Sequence, residues 1–187
     1  MTTATQARTS TWTIDPTHSI VEFAVKHFVV TTVKGRFREF EGTLQVDATR
    51  PENSSVSASI DVASIDTNVA DRDAHLRSDD FFNAEKYPKI TFRSTGVERL
   101  DDTNNRVRGD LTIRDVTKEV VLDVEYEGQV DDPWGNRRAA FTATSQISRK
   151  EFNVKWNQLI ESGGAVVSDD VKITLHIEAV RQEAKES

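Results

Sequence analysis

The feature that most constrains this chain is a period of two. Val21, Phe23 and Val25 alternate with Glu22, Ala24 and Lys26. Phe40, Leu44 and Val46 alternate with Glu41, Thr43 and Gln45, and Gly42 takes a place on the apolar side. The same rhythm runs through residues 56–62, 90–93, 107–114, 120–126, 141–147 and 171–178, which makes eight segments. Successive side chains of a strand point to opposite faces, so a period of two with one apolar face marks a half-buried antiparallel strand. The choice of apolar residues agrees. The chain holds 21 Val, 10 Ile and 20 Thr against 7 Leu. β-Branched side chains lose rotamer freedom in helices and pack well on a pleated surface.

Residues 101–105 (DDTNN) and 131–136 (DDPWGN) lie between strand segments and read as hairpin turns. Two stretches read as short helices: 71–78, capped by Asp71 or Asp73 with Ala74 and Leu76 inward, and 155–161, closed by Gly163 and Gly164. The expected fold is all-β: an eight-stranded antiparallel up-and-down barrel with one or two short helices. Closure removes the exposed edges that such strands would otherwise present. A two-sheet sandwich is the rival. An interior of eight strands is just wide enough to be filled by side chains or to hold one small apolar ligand, and the pattern leaves both open.

With 187 residues the chain is one domain, expected over residues 12–181, with tails at 1–11 and 182–187. No run approaches the roughly 18–20 apolar residues of a membrane-spanning helix, so an integral membrane protein is not expected. The formal charge of -7 argues against nucleic acid. Zero cysteines exclude disulfides, thiolate metal sites and cysteine nucleophiles. Residues 1–11 lack the apolar core of a signal peptide, so a cytoplasmic location is expected.

Asp15, His18 and Ser19 combine the groups of a hydrolytic triad. His18 and Ser19 are neighbours entering a strand, however, and their side chains leave on opposite faces. A strand-entry turn tied by Asp15 and His18 is the better reading. Residues 71–80 are acid-rich, but Leu76 and Phe82 stand where a calcium loop needs Gly and Glu. None of His18, His27, His75 and His176 has metal-ligand spacing, so no metal or other cofactor is expected. His176 faces outward and His27 inward at a strand end. Basic residues gather at Lys34, Arg36 and Arg38, at Arg137 and Arg138, and at Arg149, Lys150 and Lys155. Each cluster is either a solvated face or a site for an anionic head group. Phe81, Phe82, Tyr87 and Phe92 form one aromatic group, and Phe28, Phe37 and Phe40 another. Aromatics serve as core filler or as the mouth of an apolar pocket.

The runs WTIDPTHSIVEFAVKH, KGRFREFEGTLQVD, SASIDVASIDT, DRDAHLRSDDFFNAEKYPKITFRST, VRGDLTIRDVTKEVVLDV and GGAVVSDDVKITLHIEA resemble the YceI-like family. The resemblance covers nearly the whole chain. Where the family usually reads R-G-V-T-K this chain has Asp115, and where it often reads D-F-G-V it has Asn153. The resemblance implies a lipocalin-like barrel around an elongated apolar cavity, binding of an isoprenoid or other alkyl chain, no catalytic centre, and dimers in some members. The reading is a binding or carrier protein for a long-chain apolar lipid. Its cavity would be lined by Val21, Phe23, Val25, Phe28, Phe37 and Phe40, by Phe81, Phe82, Ile90 and Phe92, and by Leu111, Ile113, Phe141 and Trp156. His27, Arg93 and Arg149 are the candidates for the head group. Two other readings stay open: a hydrolase or isomerase acting on such a lipid, and a filled structural barrel. A homodimer is also left open, through an exposed strand or the Trp134 turn.

Overall fold

The structure, a computed structural model, describes residues 9–160 and 164–183. Its strands are β1 (Thr9–Ile14), β2 (Ile20–His27), β3 (Thr31–Phe37), β4 (Phe40–Asp47), β5 (Ser55–Asp61) and β6 (Ile65–Asp66). After the helix α1 (Ala70–Arg77) come β7 (Lys89–Arg99), β8 (Asn104–Ile113), β9 (Val116–Asp131) and β10 (Arg137–Ser148). The short β11 (Leu159–Ile160) and β12 (Gly164–Ala165) pair with each other, and β13 (Asp170–Arg181) ends the wall. Antiparallel pairing runs β1–β4–β5–β7–β8–β9–β10–β13 and returns to β1, closing an eight-stranded barrel. Strands of 12 residues, at about 3.3 Å per residue and a tilt near 40°, make a wall about 30 Å tall.

Ten strands fill the eight wall positions, because two positions are split. β13 pairs with β1 through residues 179–181 and with β2 through residues 172–176. β1 and β2 are thus two halves of one bent wall strand, and β3 and β4 are two halves of the next. Ser19 joins the ladder across the first bend. Its Oγ donates to Glu178 O at 3.2 Å and accepts from Glu178 N at 2.9 Å.

Several expectations are corrected here. β1 begins at Thr9, inside the segment read as a tail, and Gln182 N donates to Thr11 O at 2.8 Å. Residues 1–8 and 184–187 lie outside the described residues. β3 broke the alternation because Gly35 occupies an inward position under the Phe23 ring, where a Cβ would lie 2.4 Å from Cζ. The expected helix over 155–161 does not form. Residues 155–158 are irregular, Leu159 starts β11, and residue 161 lies outside the described residues. The carbonyls of Val154 and Trp156 are taken by the Arg149 side chain, which leaves no helical ladder to build. The helix α1 does form, but Val69 precedes it without a side-chain cap. Asp73 turns away from the helix amides and accepts from Thr67 N at 2.8 Å and Thr67 Oγ1 at 2.5 Å. Ala74 faces solvent, while Leu76 packs on the core. Among the described residues no helix is long and apolar enough to cross a membrane.

The two family departures meet in space. Asn153, at φ 60°, donates from Nδ2 to Asp115 Oδ1 at 3.2 Å. The strained position of the β8–β9 turn is Arg114, at φ 55°, and not Asp115.

Packing is concentrated near the two rims. Trp12, Ala139 and Ala179 are buried together at one. At the other, Phe37, Val62, Ile65, Phe81, Phe152 and Val154 form the larger core beneath α1. Between them Phe92 lies flat on Gly109 of the next strand. A Cβ at Gly109 would meet Phe92 Cζ at 2.4 Å and Arg93 O at 2.7 Å. Gly109→Ala is therefore expected to cost about 2 kcal/mol through overpacking against main chain, read as a lower urea midpoint at unchanged slope.

Candidate functional site

The barrel encloses a cavity of about 1020 Å³. Its walls are the inward faces of the strands. Val21, Phe23 and Val25 come from β2, Phe37 from β3 and Phe40 from β4. Ile90 and Phe92 come from β7, Leu111 and Ile113 from β8, and Phe141 from β10. Phe81 and Phe82, after α1, and Trp156, in the loop after β10, line the cavity near the α1 rim. Phe37 meets Phe82 edge-on at 6.0 Å, and Phe81 tilts against Trp156 at 5.2 Å. Leu44, Ala58, Val124, Ala143, Leu175 and Ile177 complete the middle of the wall. These six carry the same alternation as the rest and follow from strand parity.

Two of the named residues lie elsewhere. Phe28 sits beyond the strand end, half exposed at the β2–β3 tip, with its ring 4.0 Å from that of His27. Arg93 faces outward, because Phe92 before it takes the inward side, and its cross-strand partners are Ser57 and Asp110. His27 and Arg149 do border the cavity. Arg149 is buried and has its donors committed. Nε donates to Ser168 O and Nη1 to Val154 O and Trp156 O, all at 2.8 Å, and Nη2 donates to Val167 O at 3.3 Å. Burial pulls its pKa below the ordinary arginine value, against the pull of Asp169. Arg149 holds the rim loops together instead of facing a ligand.

The cation better placed at this rim is Arg72, which sequence reasoning missed. Its Nε donates to Thr67 Oγ1 and its Nη2 to Thr67 O, both at 2.7 Å. Thr67 is in turn held by Asp73. Nη1 makes no hydrogen bond among the described residues, and the side chain borders the cavity. His75, one turn along the same helix, also borders it. The imidazole Nε2 lies 2.8 Å from Asp80 Oδ2, and the ring stands edge-on to Phe81 at 5.0 Å and to Trp156 at 4.8 Å. The available signal was the spacing of three between Arg72 and His75 on a helix beside the aromatic group.

The opposite rim is a network of ion pairs. Arg137 pairs with Asp131 at 2.8 Å and Arg99 with Asp102 at 2.6 Å. Arg138 donates from Nη1 to Asp15 Oδ2 at 2.9 Å and Glu178 Oε1 at 2.7 Å, and from Nε to Asp132 Oδ2 at 2.7 Å. His18 Nδ1 lies 2.9 Å from Asp15 Oδ2, as the strand-entry reading expects. Asp15, His18 and Glu178 offer ligand atoms within 4.8 Å of one another. The cation between the two carboxylates is the Arg138 guanidinium. Ser19 Oγ bonds main chain of β13 and not His18, so the geometry of a triad is not met. The hydrogen bond with His18, with help from Arg138 and against partial burial, holds Asp15 at about 2. Arg138 holds Asp132 well below the carboxylate range.

An eight-stranded antiparallel barrel around one long apolar cavity is the architecture of a lipocalin-like protein, and the comparisons name the family. The YceI-like domain model matches residues 12–179, and the chain belongs to that family. Protein YceI of Escherichia coli O17:K52:H18 is 41% identical over 165 residues, spanning 88% of this chain and 83% of that protein. UPF0312 protein ECA1782 of Pectobacterium atrosepticum is 42% identical, spanning 88% of this chain and 82% of its own length. Among solved structures, Burkholderia cenocepacia BcnA superposes with a TM-score of 0.78 at 25% identity, covering 88% of this chain and 98% of BcnA. A polyisoprenoid binding domain from Saccharophagus degradans, implicated in plant cell wall breakdown, matches with a TM-score of 0.64 over 91% of this chain and 98% of its own. At 15% identity that likeness is one of fold.

Asp15 and Asp132, both held low beside Arg138, contribute to the acid limb of stability. The folded-state pKa of Asp15 is lowered from 3.8 to about 2. The stabilisation is therefore present above about pH 4 and is lost as pH falls through the folded value. Arg138→Met is expected to be less stable at pH 7 and to lose less on acidification than the parent. Urea denaturation at a series of pH values between about 2 and 7 checks this.

Proposed function

We propose that the chain is a binding or carrier protein for an isoprenoid or other long-chain lipid with an anionic head group. The tail lies in the barrel, and the head lies at the α1 rim between Arg72, His75 and His27. The carrying observation is the cavity of about 1020 Å³ walled by apolar side chains from strand after strand. The fold shared with a polyisoprenoid binding domain supports it. A tail that loses about 400 Å² of apolar surface to such a wall gains about 10 kcal/mol before the costs of association and ordering. That term selects chain length and is blind to the head. Head selection falls to Arg72, whose guanidinium Thr67 and Asp73 orient in advance of binding. The reading is one of binding without turnover.

Freshly purified protein examined by native mass spectrometry is expected to carry an apolar molecule of a few hundred daltons or more. A clean mass together with no uptake of prenyl lipid in titration would sink the reading. Ala143→Trp places a bulky ring at mid-height in the wall. It is expected to weaken prenyl-lipid binding at least about tenfold while the far-UV spectrum stays that of the parent. Arg72→Met is expected to keep affinity for a prenyl alcohol and to lose roughly tenfold for the matching prenyl phosphate. Paired isothermal titrations with the two lipids separate the head from the tail.

A further inference from the structure

The hairpin tip between β2 and β3 breaks the usual rules for such turns. His27 and Thr31 are the last paired residues, and residues 28–30 connect them. Phe28 and Val29 sit at φ 50° and 67°. Asn and Gly fill that region at low cost, whereas a β-branched side chain is strained there. Burial within the chain does not offset the strain. Phe28 is 46% exposed, Val29 70% and Val30 78%. The tip is braced from one side, since Phe28 N donates to Val166 O and Val166 N to Gln158 O, both at 3.0 Å. That brace brings Leu159, 83% exposed, to the same rim. His27, Val166 and Val167, next to these residues, border the cavity.

The stretch that carries the tip is basic. Residues 23–38 hold Lys26, Lys34, Arg36 and Arg38 and no carboxylate, in a chain of net charge -7. Lys34 and Arg38 are paired with Glu22 and Asp66 across the strands. Among the described residues the Lys26 ammonium, next to the tip, bonds a hydroxyl, that of Thr32 at 2.8 Å, and no carboxylate. The opposite rim also exposes Leu100, Val130 and Trp134, there among the ion pairs Arg99–Asp102, Arg137–Asp131 and Arg138–Asp132. An anionic lipid surface attracts the basic stretch that carries the tip.

We propose that the β2–β3 rim docks on the surface of a bilayer containing anionic lipids. Phe28, Val29, Val30 and Leu159 enter the interface, Lys26 faces phosphates, and the cavity mouth opens onto the membrane. The proposal rests on the lipid reading above, because a long apolar chain must pass between bilayer and barrel without crossing water. Exposed apolar side chains next to residues that border the cavity suit such a passage.

The test floats the full chain with vesicles of phosphatidylcholine containing about one-third phosphatidylglycerol, and with phosphatidylcholine vesicles alone. The protein is expected to float with the first, several-fold less with the second, and less again at about 0.5 M salt. The triple replacement Phe28→Ser, Val29→Gly, Val30→Ser is expected to lower the vesicle-bound fraction at least about tenfold. Its thermal midpoint should match or exceed the parent's, since Gly relieves the strain at position 29. Uptake of prenyl lipid from an ethanol dispersion should be unchanged, because none of the three residues borders the cavity. No flotation of the parent, or equal flotation of the triple variant, overturns the proposal. So does a concentration-dependent dimer, seen by sedimentation, that the variant abolishes while vesicle binding is absent. If vesicles do not bind but uptake from dispersion persists, docking fails and the lipid reading stands. If vesicles bind but no lipid is taken up, docking stands and the lipid reading fails.

Discussion

Everything in this molecule depends on the ring of antiparallel hydrogen bonds that closes between β13 and β1. A closed wall has no edge strand to protect, and it sends every second side chain into one enclosed space. Eight strands leave that space wide enough to stay open when the inward residues through the middle are mostly Val, Ile, Leu and Ala and the Phe92 ring lies against Gly109 of the next strand. The bulk is placed near the ends, in Trp12 at one and in the Phe37, Phe81 and Phe152 core at the other. The cavity is therefore a property of where large residues are placed, not of a shortage of apolar ones.

Closure also created a problem that local chemistry solves. β13 has to change partner from β2 to β1 partway along its length, and the main chain of residues 15–19 leaves the wall there. Ser19 supplies the missing ladder bonds, and Arg138 ties Asp15, Glu178 and Asp132 around the same bend. The acid, histidine and hydroxyl that resemble a triad in the sequence are a joint in the wall. At the far rim Arg149 does similar work on carbonyls of residues 154, 156, 167 and 168. Both arginines act on the backbone or on carboxylates. Arg72 is the one that the fold orients and leaves with an Nη1 that no described residue uses.

Most of the barrel was legible because strand parity is a local property. Once Phe92 is inward, Ile90 follows and Arg93 must face out, so the head-group assignment to Arg93 contradicted the alternation that located Phe92. β1 and β3 were illegible for different reasons. β1 is Thr-rich and joined to a polar segment, and β3 carries Gly35 where a side chain would strike Phe23. The helix expected over 155–161 failed because a single buried side chain, Arg149, outcompeted the local ladder for its carbonyls. Arg149 is only five and seven residues before those carbonyls, but its side chain is held over them by the carbonyls of Val167 and Ser168 from the next loop, which local composition does not mark.

By itself, the sequence determined the strand class, the inward face of the eight alternating segments, a short helix expected over 71–78 and found at Ala70–Arg77, and the family. These follow from side-chain parity, β-branched content and motif order, each of which is local. Tertiary structure alone decided that two wall positions are split, that the interior is hollow and that Arg72 and His75 reach its rim. It also decided that the strained Phe28–Val29 tip stands next to residues that border the cavity. These depend on which residues meet across the ring, and a closed ring brings together segments more than a hundred residues apart, such as Asp15 and Arg138.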